Sequence, residues 1–157
     1  MKLKLVLVGK TDEQYLQKGM DIYQNRLKYY ASFEKIEIPE LKQTQSLSRD
    51  QIKVREGELI LKQLRDGDRL VLLDEKGSSY TSVNWARHLE QTLAHSSKDI
   101  VFVVGGAYGF SEQVYARADE KLSLSQMTYS HQLVRLVFME QLYRAFTIIK
   151  GEPYHHE

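Results

Sequence analysis

The stretch Ile100 to Phe110, IVFVVGGAYGF, restricts the possible folds more than any other part of the chain. Its apolar residues run unbroken from Ile100 to Val104. A strand with one wet face alternates apolar and polar residues, whereas a continuous run fits a strand buried on both faces, as in a parallel sheet. Gly105, Gly106 and Gly109 follow at once. The backbone there either turns sharply or lets something come close. In open α/β sheets, ligands sit beyond the carboxyl ends of strands. Two readings result: a small ligand over Gly105 and Gly106, or a tight strand-to-helix turn with nothing bound.

The rest of the chain supplies matching elements. LKLVLV, ending at Gly9, predicts a first strand. A helix follows, with Thr11 or Asp12 as N-cap and Leu16, Gly19, Tyr23, Leu27 and Tyr30 at helical spacing. Lys18, Arg26 and Lys28 cluster in its second half, as a solvated face or as phosphate contacts. FEKIEI reads as a second strand with one face exposed, stopped by Pro39. Ser48 caps a helix expected over 49–64, in which Gly57 costs about 1 kcal/mol relative to Ala and so implies close packing. RLVLLD is a third strand, 75–79 a turn, and Ser82 the cap of a helix to about 94. Ser111 and Glu112 start a short helix, 121–124 is a fifth strand, and 125–130 a loop.

The final helix, expected over 131–149, is apolar nearly all round. Such a helix needs cover on every side, and its own sheet covers one. A partner helix from a second subunit is the expected remainder, with Leu136 and Phe138 in that contact. The alternating order predicts one α/β domain over 1–157, with a mostly parallel sheet of five to six strands and helices on both faces.

Composition narrows the chemistry. With no cysteine, there is no disulfide, thiolate nucleophile or thiolate metal site, which fits a reducing cytoplasm. No run of 18 apolar residues occurs, so no membrane span is expected. The apolar run in MKLKLVLVGK is too short for a signal peptide and reads as a strand. The basic excess typical of nucleic-acid binders is missing, the net charge being +1. Gly-Gly-x-x-Gly after a fourth strand is not the dinucleotide fingerprint, and no Walker A sequence is present. Leu73-Asp74, Gly105-Gly106 and the loop Leu124 to Tyr129 can converge on one pocket. Its main chain would hydrogen-bond an adenine edge while Leu73 and Met127 pack on the ring.

VFVVGGAYGF, LSLSQMTYSHQLVRLVFMEQLYRAF and the terminal EPYHHE closely resemble the bacterial large-subunit ribosomal RNA methyltransferase H family, of the SPOUT class. MKLKLVLVGK, VREGELIL and VLLDEKG match it too, so the likeness spans the whole chain. The resemblance implies an α/β knot, a C-terminal trefoil that builds an S-adenosylmethionine pocket. It also implies homodimers that methylate N3 of a pseudouridine in 23S ribosomal RNA, without a metal. The implied donor pocket consists of Leu73, Gly105 and the loop Leu124, Ser125, Gln126, Met127, Thr128 and Tyr129. Relatives carry Pro in that loop, whereas Gln126-Met127 stands here, a change that main-chain contacts tolerate.

Methyl transfer from a sulfonium is an in-line displacement, so much of the catalysis comes from holding donor and acceptor in line. The ring N3–H must also lose its proton, which a positioned base or a hydrogen bond to the developing anion assists. Tyr154 to stack on or orient the base, His155 as base or phosphate contact, and Arg135 are the catalytic candidates. His131 reads more readily as a locally satisfied helix-start residue. Arg135 and Arg144 equally suit RNA contact or structural pairing. A non-catalytic ribosome-binding or assembly module with the same fold is the alternative. Near-neutral charge predicts a folded substrate, the large subunit or assembled ribosome, rather than naked RNA.

Overall fold

The computed structural model describes residues 1–156. Its elements are β1 (Leu3–Val8), α1 (Gln14–Leu27), β2 (Phe33–Ile38), α2 (Arg49–Leu61), β3 (Arg69–Ser79), α3 (Ser82–His95), β4 (Ile100–Val104), α4 (Glu112–Arg117), β5 (Glu120–Ser123) and α5 (Leu133–Ile149). A single 3₁₀ turn, Thr44–Ser46, interrupts the expected loop before α2.

Among the described residues the sheet has five strands in the order β2-β1-β4-β3-β5. All its pairings are parallel, so all carboxyl ends share one edge. β1 and β4 lie inside the sheet and are buried along their whole length. Successive side chains alternate between the faces. Leu3, Leu5, Leu7, Phe102 and Val104 meet α1, α3 and α5 on one side. Val6, Val8, Val101 and Val103 meet α2 and α4 on the other. The unbroken apolar runs are thus double-sided burial.

Ser48 caps α2 through a full capping box with Gln51, and Ser111 caps α4. Gly57 lets α2 approach α4: a Cβ there would stand 2.6 Å from Ser111 Oγ and 3.0 Å from Val114. Three local expectations are corrected. α1 starts after Glu13, because the Thr11 hydroxyl is buried and accepts a hydrogen bond from Arg135. α1 ends at Leu27, and Tyr30 packs beyond it on Tyr143 and Phe146. Thr81, not Ser82, caps α3, its hydroxyl accepting the Asn84 N–H at 3.1 Å.

β3 also runs past Asp74 to Ser79. The register shifts between Leu73 and Ser78, both opposite Leu122. The expected turn at 75–79 is therefore a bulge within the strand, kept in the sheet by β5. Gly77 is required there: a Cβ would lie 2.5 Å from the Lys121 carbonyl.

α5 is covered largely by its own chain, with α1 and α3 packed along it. Phe138 is fully buried, its ring 4.8 Å from Phe102 and 6.1 Å from Trp85 between centroids. Leu136 fits against Gly19 of α1, where a Cβ would approach it to 2.9 Å. Placing Phe138 in a subunit contact is therefore corrected: it belongs to this chain's core. Leu133, 37% exposed, and half-buried Val137 are among the apolar residues of α5 left partly open. No described helix is long and apolar enough to cross a membrane.

Candidate functional site

β3 and β4 pair from Arg69–Ile100 to Leu72–Val103. Past this end Leu73 pairs only with Leu122 of β5 and Val104 only with Leu7 of β1, and Gly105 lies beyond every strand pairing, its main chain free to serve something other than the sheet. A cavity of 530 Å³ opens there, in the range of small-molecule sites. Leu73 to Lys76 form one wall, Val104 to Phe110 the floor, and Leu124, Ser125 and Met127 to His131 the other wall.

The floor needs its glycines. A Cβ on Gly105 would press 2.9 Å from the Phe110 ring, and one on Gly106 would reach 2.8 Å from the Glu56 carboxylate. Gly109 has φ +85°, and its N–H closes the turn on the Gly106 carbonyl at 3.2 Å. Arg49 steadies the turn from outside, its guanidinium 5.1 Å from the Tyr108 ring. Behind Gly106, burial raises the Glu56 pKa and the charge of Glu40 adds to the effect.

The loop wall is held by side chains rather than by a ladder. Ser125 Oγ accepts the Met127 N–H at 2.9 Å, and Ser123 Oγ donates to the Ser125 carbonyl at 3.0 Å. Thr128 donates to Glu75 at 2.5 Å, clasping the loop to the β3 bulge. Ser130 Oγ accepts the Leu133 N–H at 3.1 Å, starting α5. Opposite, the Tyr115 hydroxyl donates to Asp74 at 2.5 Å. Burial first, and then this carboxylate, push its pKa up to about 12. Polar groups thus ring an apolar base of Leu73, Phe110, Leu122, Leu124 and Val134.

Of the residues expected at a donor pocket, Leu73, Gly105, Leu124, Ser125, Met127, Thr128 and Tyr129 line this cavity. Gln126 is exposed and is not among its lining residues. His131, read from sequence as a bland helix start, lines it as well. Glu75 and Tyr115 had no signal in the sequence, because one stands in a misread turn and the other on an ordinary short helix.

The catalytic candidates lie elsewhere. Arg135 is fully buried. Its guanidinium donates to the carbonyls of Val8 at 2.7 Å, Gly9 at 2.9 Å and His131 at 3.1 Å, and to Thr11 Oγ1 at 3.0 Å. Burial lowers its pKa, against the pull of Glu37, Asp12 and Glu40. All four of these bonds go to the chain's own acceptors, which is the structural pairing expected as one of its two roles. Gln132 adds two bonds to the same loop after β1, accepting from the Asp12 N–H and donating to the Lys10 carbonyl. Together these side chains tie the start of α5 to the end of β1.

Tyr154 and His155 are not among the lining residues of their own chain's cavity. Both pack on α5. Tyr154 donates to Glu140 at 3.1 Å, with the Tyr143 ring centroid at 4.7 Å and the Arg144 guanidinium 4.9 Å from its own. Burial, with Tyr23 and Glu140, raises its pKa, so it holds its proton as a hydrogen-bond donor. Arg144 bonds Glu140 twice, at 2.5 and 3.0 Å, and lies 3.0 Å from His155 Nδ1. For Arg144 the structural pairing found here is internal to the chain.

A second hollow, 640 Å³, lies by the amino ends of β3 and β4, near Asp66, Arg69, His95 and Lys98. Its two arginines already pair, Arg69 with Glu120 and Arg117 with Asp119.

Residues 1–155 match the sequence model of a family described as predicted SPOUT methyltransferase. A Parabacteroides distasonis protein named ribosomal RNA large subunit methyltransferase H is 54% identical over 157 residues, the full length of both chains. Proteins of that name from Christiangramia forsetii and Bacteroides fragilis are each 52% identical, over 99% and 100% of both chains. With a parallel α/β sheet and a glycine-floored cavity at its carboxyl edge, the chain belongs to the SPOUT methyltransferase family, among the ribosomal RNA large subunit methyltransferase H proteins.

Proposed function

We propose that this protein moves a methyl group from S-adenosylmethionine to N3 of a pseudouridine in 23S ribosomal RNA. In this reading it works in the cytoplasm as a homodimer of single-domain, knotted subunits, on the large subunit or the assembled ribosome. The observation that carries the reading is the end of the β3–β4 ladder at Leu72 and Val103. It leaves the main chain of Gly105 and of the loop 124–129 beside Leu73 around an apolar base. That arrangement suits an adenine ring, flat on its faces and polar at its edge.

Leu73, Gly105, Leu124, Ser125, Met127, Thr128 and Tyr129 would hold the donor, with Gln126 contributing main chain only. The sulfonium supplies an electrophilic carbon. With the donor bound, N3 would take that carbon while the donor departed as a neutral thioether, and His155 would be placed to receive the N3 proton. Protein groups contribute alignment and a place for the proton. His131 stands at the cavity in the same chain. Tyr154 and His155 serve the cavity of the other subunit, since they do not line their own. A protonated Tyr154 orients the base and steadies the developing anion, and it is not the base. No metal enters the scheme.

Two measurements test this reading. Titration calorimetry should show S-adenosylmethionine binding, abolished when Gly105→Val fills the floor. Mass spectrometry of ribosomal RNA from cells lacking the protein should show one methyl group lost from a single pseudouridine. If donor binding is absent at millimolar ligand, the fold serves as a non-catalytic ribosome-binding module.

A further inference from the structure

A carboxylate without a countercharge lies beneath the cavity floor. Glu56 projects from α2, and its two carboxylate oxygens stand 2.8 and 2.9 Å from the place a Cβ would take on Gly106. Gly106 lines the cavity and Glu56 does not. The carboxylate therefore sits behind the floor, one thickness of main chain from the space above it. Its Oε1 is buried and has no hydrogen-bond partner among the described residues.

The charges nearby are engaged elsewhere or have the wrong sign. Lys53, one turn earlier on α2, pairs with Asp50 at 3.3 Å. Arg49, two turns earlier, has its guanidinium over the Tyr108 ring. α4 meets α2 at the neighbouring Gly57 through Ser111 and Val114, neither of them charged. The Arg135 charge is felt by Glu37, Asp12 and Glu40. Glu40, folded against Gly9, sets a second negative charge beside Glu56.

A buried carboxylate with no partner destabilises the free chain. A ligand that brought a positive charge over the floor would offset that penalty, and a neutral ligand of the same shape would not. In the reading above, Leu73 and the loop 124–129 take the adenine, which leaves the floor of Gly105 and Gly106 for the sulfonium end. The methyl donor and its thioether product share every other group and differ in one methyl and one positive charge. A fixed negative charge under the floor acts on that difference.

We propose that Glu56, acting through Gly106, raises the cavity's affinity for the charged sulfonium donor relative to its neutral thioether product, and so favours exchange of spent product for fresh donor. The proposal rests on the donor reading above and adds which charge sets the order of affinity. Glu56 works by its field across the main chain and not by contact, so it is a specificity-determining residue and not a catalytic one.

Titration calorimetry at mildly alkaline pH tests this with the full chain, as wild type, Glu56→Gln and Glu56→Asp. The probes are S-adenosylmethionine, S-adenosylhomocysteine, and sinefungin, whose amine puts a cation in place of the sulfonium. Two unit charges about 10 Å apart at an effective dielectric of about 20 change an affinity about tenfold. Glu56→Gln should therefore weaken S-adenosylmethionine and sinefungin about tenfold and leave S-adenosylhomocysteine unchanged. Glu56→Asp keeps the charge and should keep the wild-type ratio. Equal loss for all three probes in Glu56→Gln would make Glu56 a brace for the glycine turn and overturn the proposal. An unchanged ratio with all affinities intact would overturn it as well. If the wild type binds none of the three, the donor reading falls and the proposal with it; if it binds them and the ratio does not move in Glu56→Gln, only the proposal falls.

Discussion

Replacing Arg135 by Met separates a structural role from a chemical one. The substitution keeps the length and apolar stem of the side chain and removes its donors. Val8 and Gly9 each lose a bond to a main-chain oxygen, and Thr11 Oγ1 loses its donor, all at a site with no exposure. A buried acceptor without a partner costs about 1–3 kcal/mol, so three cost about 6. The chain no longer desolvates a guanidinium, which returns a part, about 2 kcal/mol, of the cost of burying a charge. The expected net loss is about 4 kcal/mol, a large share of the roughly 5–15 kcal/mol that holds a domain together. With a urea m-value of about 2 kcal/mol/M, the midpoint should fall by about 2 M. The comparison needs equal protomer concentration, because association contributes to apparent stability. Arg135→Lys, with a single ammonium in place of the fork, should fall between the two. A midpoint unchanged in Arg135→Met while methyl transfer is lost would refute the reasoning and return Arg135 to the chemistry.

Four further outcomes follow from named contacts. Gly77→Ala forces a methyl against the Lys121 main chain, 2.5 Å away, and should cost about 1–3 kcal/mol in chemical denaturation, the usual cost of overpacking. Glu56 has a folded-state pKa raised above its unfolded value, chiefly by burial; the stability it contributes is full below the unfolded pKa and is lost as pH rises through the raised one. Glu56→Gln should therefore melt higher than wild type at neutral pH, with the difference shrinking toward pH about 4. Thr128→Val unfastens the loop from Glu75 and should weaken donor binding several-fold by calorimetry, as expected for about 1 kcal/mol from one hydrogen bond, without changing the melting temperature. On α5, Val137→Asp should yield a folded monomer in light scattering, whereas Phe138→Asp, which buries a charge in the chain's own core, should not fold.

Some elements were legible because their physics is local. Ile100 to Val104 is a strand in isolation because its run of branched residues admits no wet face. Ser48 and Ser111 cap helices through bonds to main chain three residues away. The cavity was legible for a related reason: a glycine floor and a loop of small polar residues flag themselves wherever they fold. The misreadings share a cause as well. Glu75 to Ser79 looks like a turn until β5, more than 40 residues later, pairs across the bulge. Thr11 looks like a helix cap until Arg135, 124 residues away, takes its hydroxyl.

α5 shows the boundary most plainly. Its composition demands cover on all sides, and the sequence alone determined that. Which neighbours provide it depends on where α1 and α3 come to rest, and only the tertiary structure decided that Phe138 is covered from within. Likewise, residue type made Arg135 and His155 candidates for chemistry. Burial and bonding partners, set by distant parts of the chain, decided that Arg135 braces β1 and that the tail lies on α5, apart from its own cavity. Local preference is written in a few adjacent residues, but the partner of a long side chain is chosen only when the whole chain has packed.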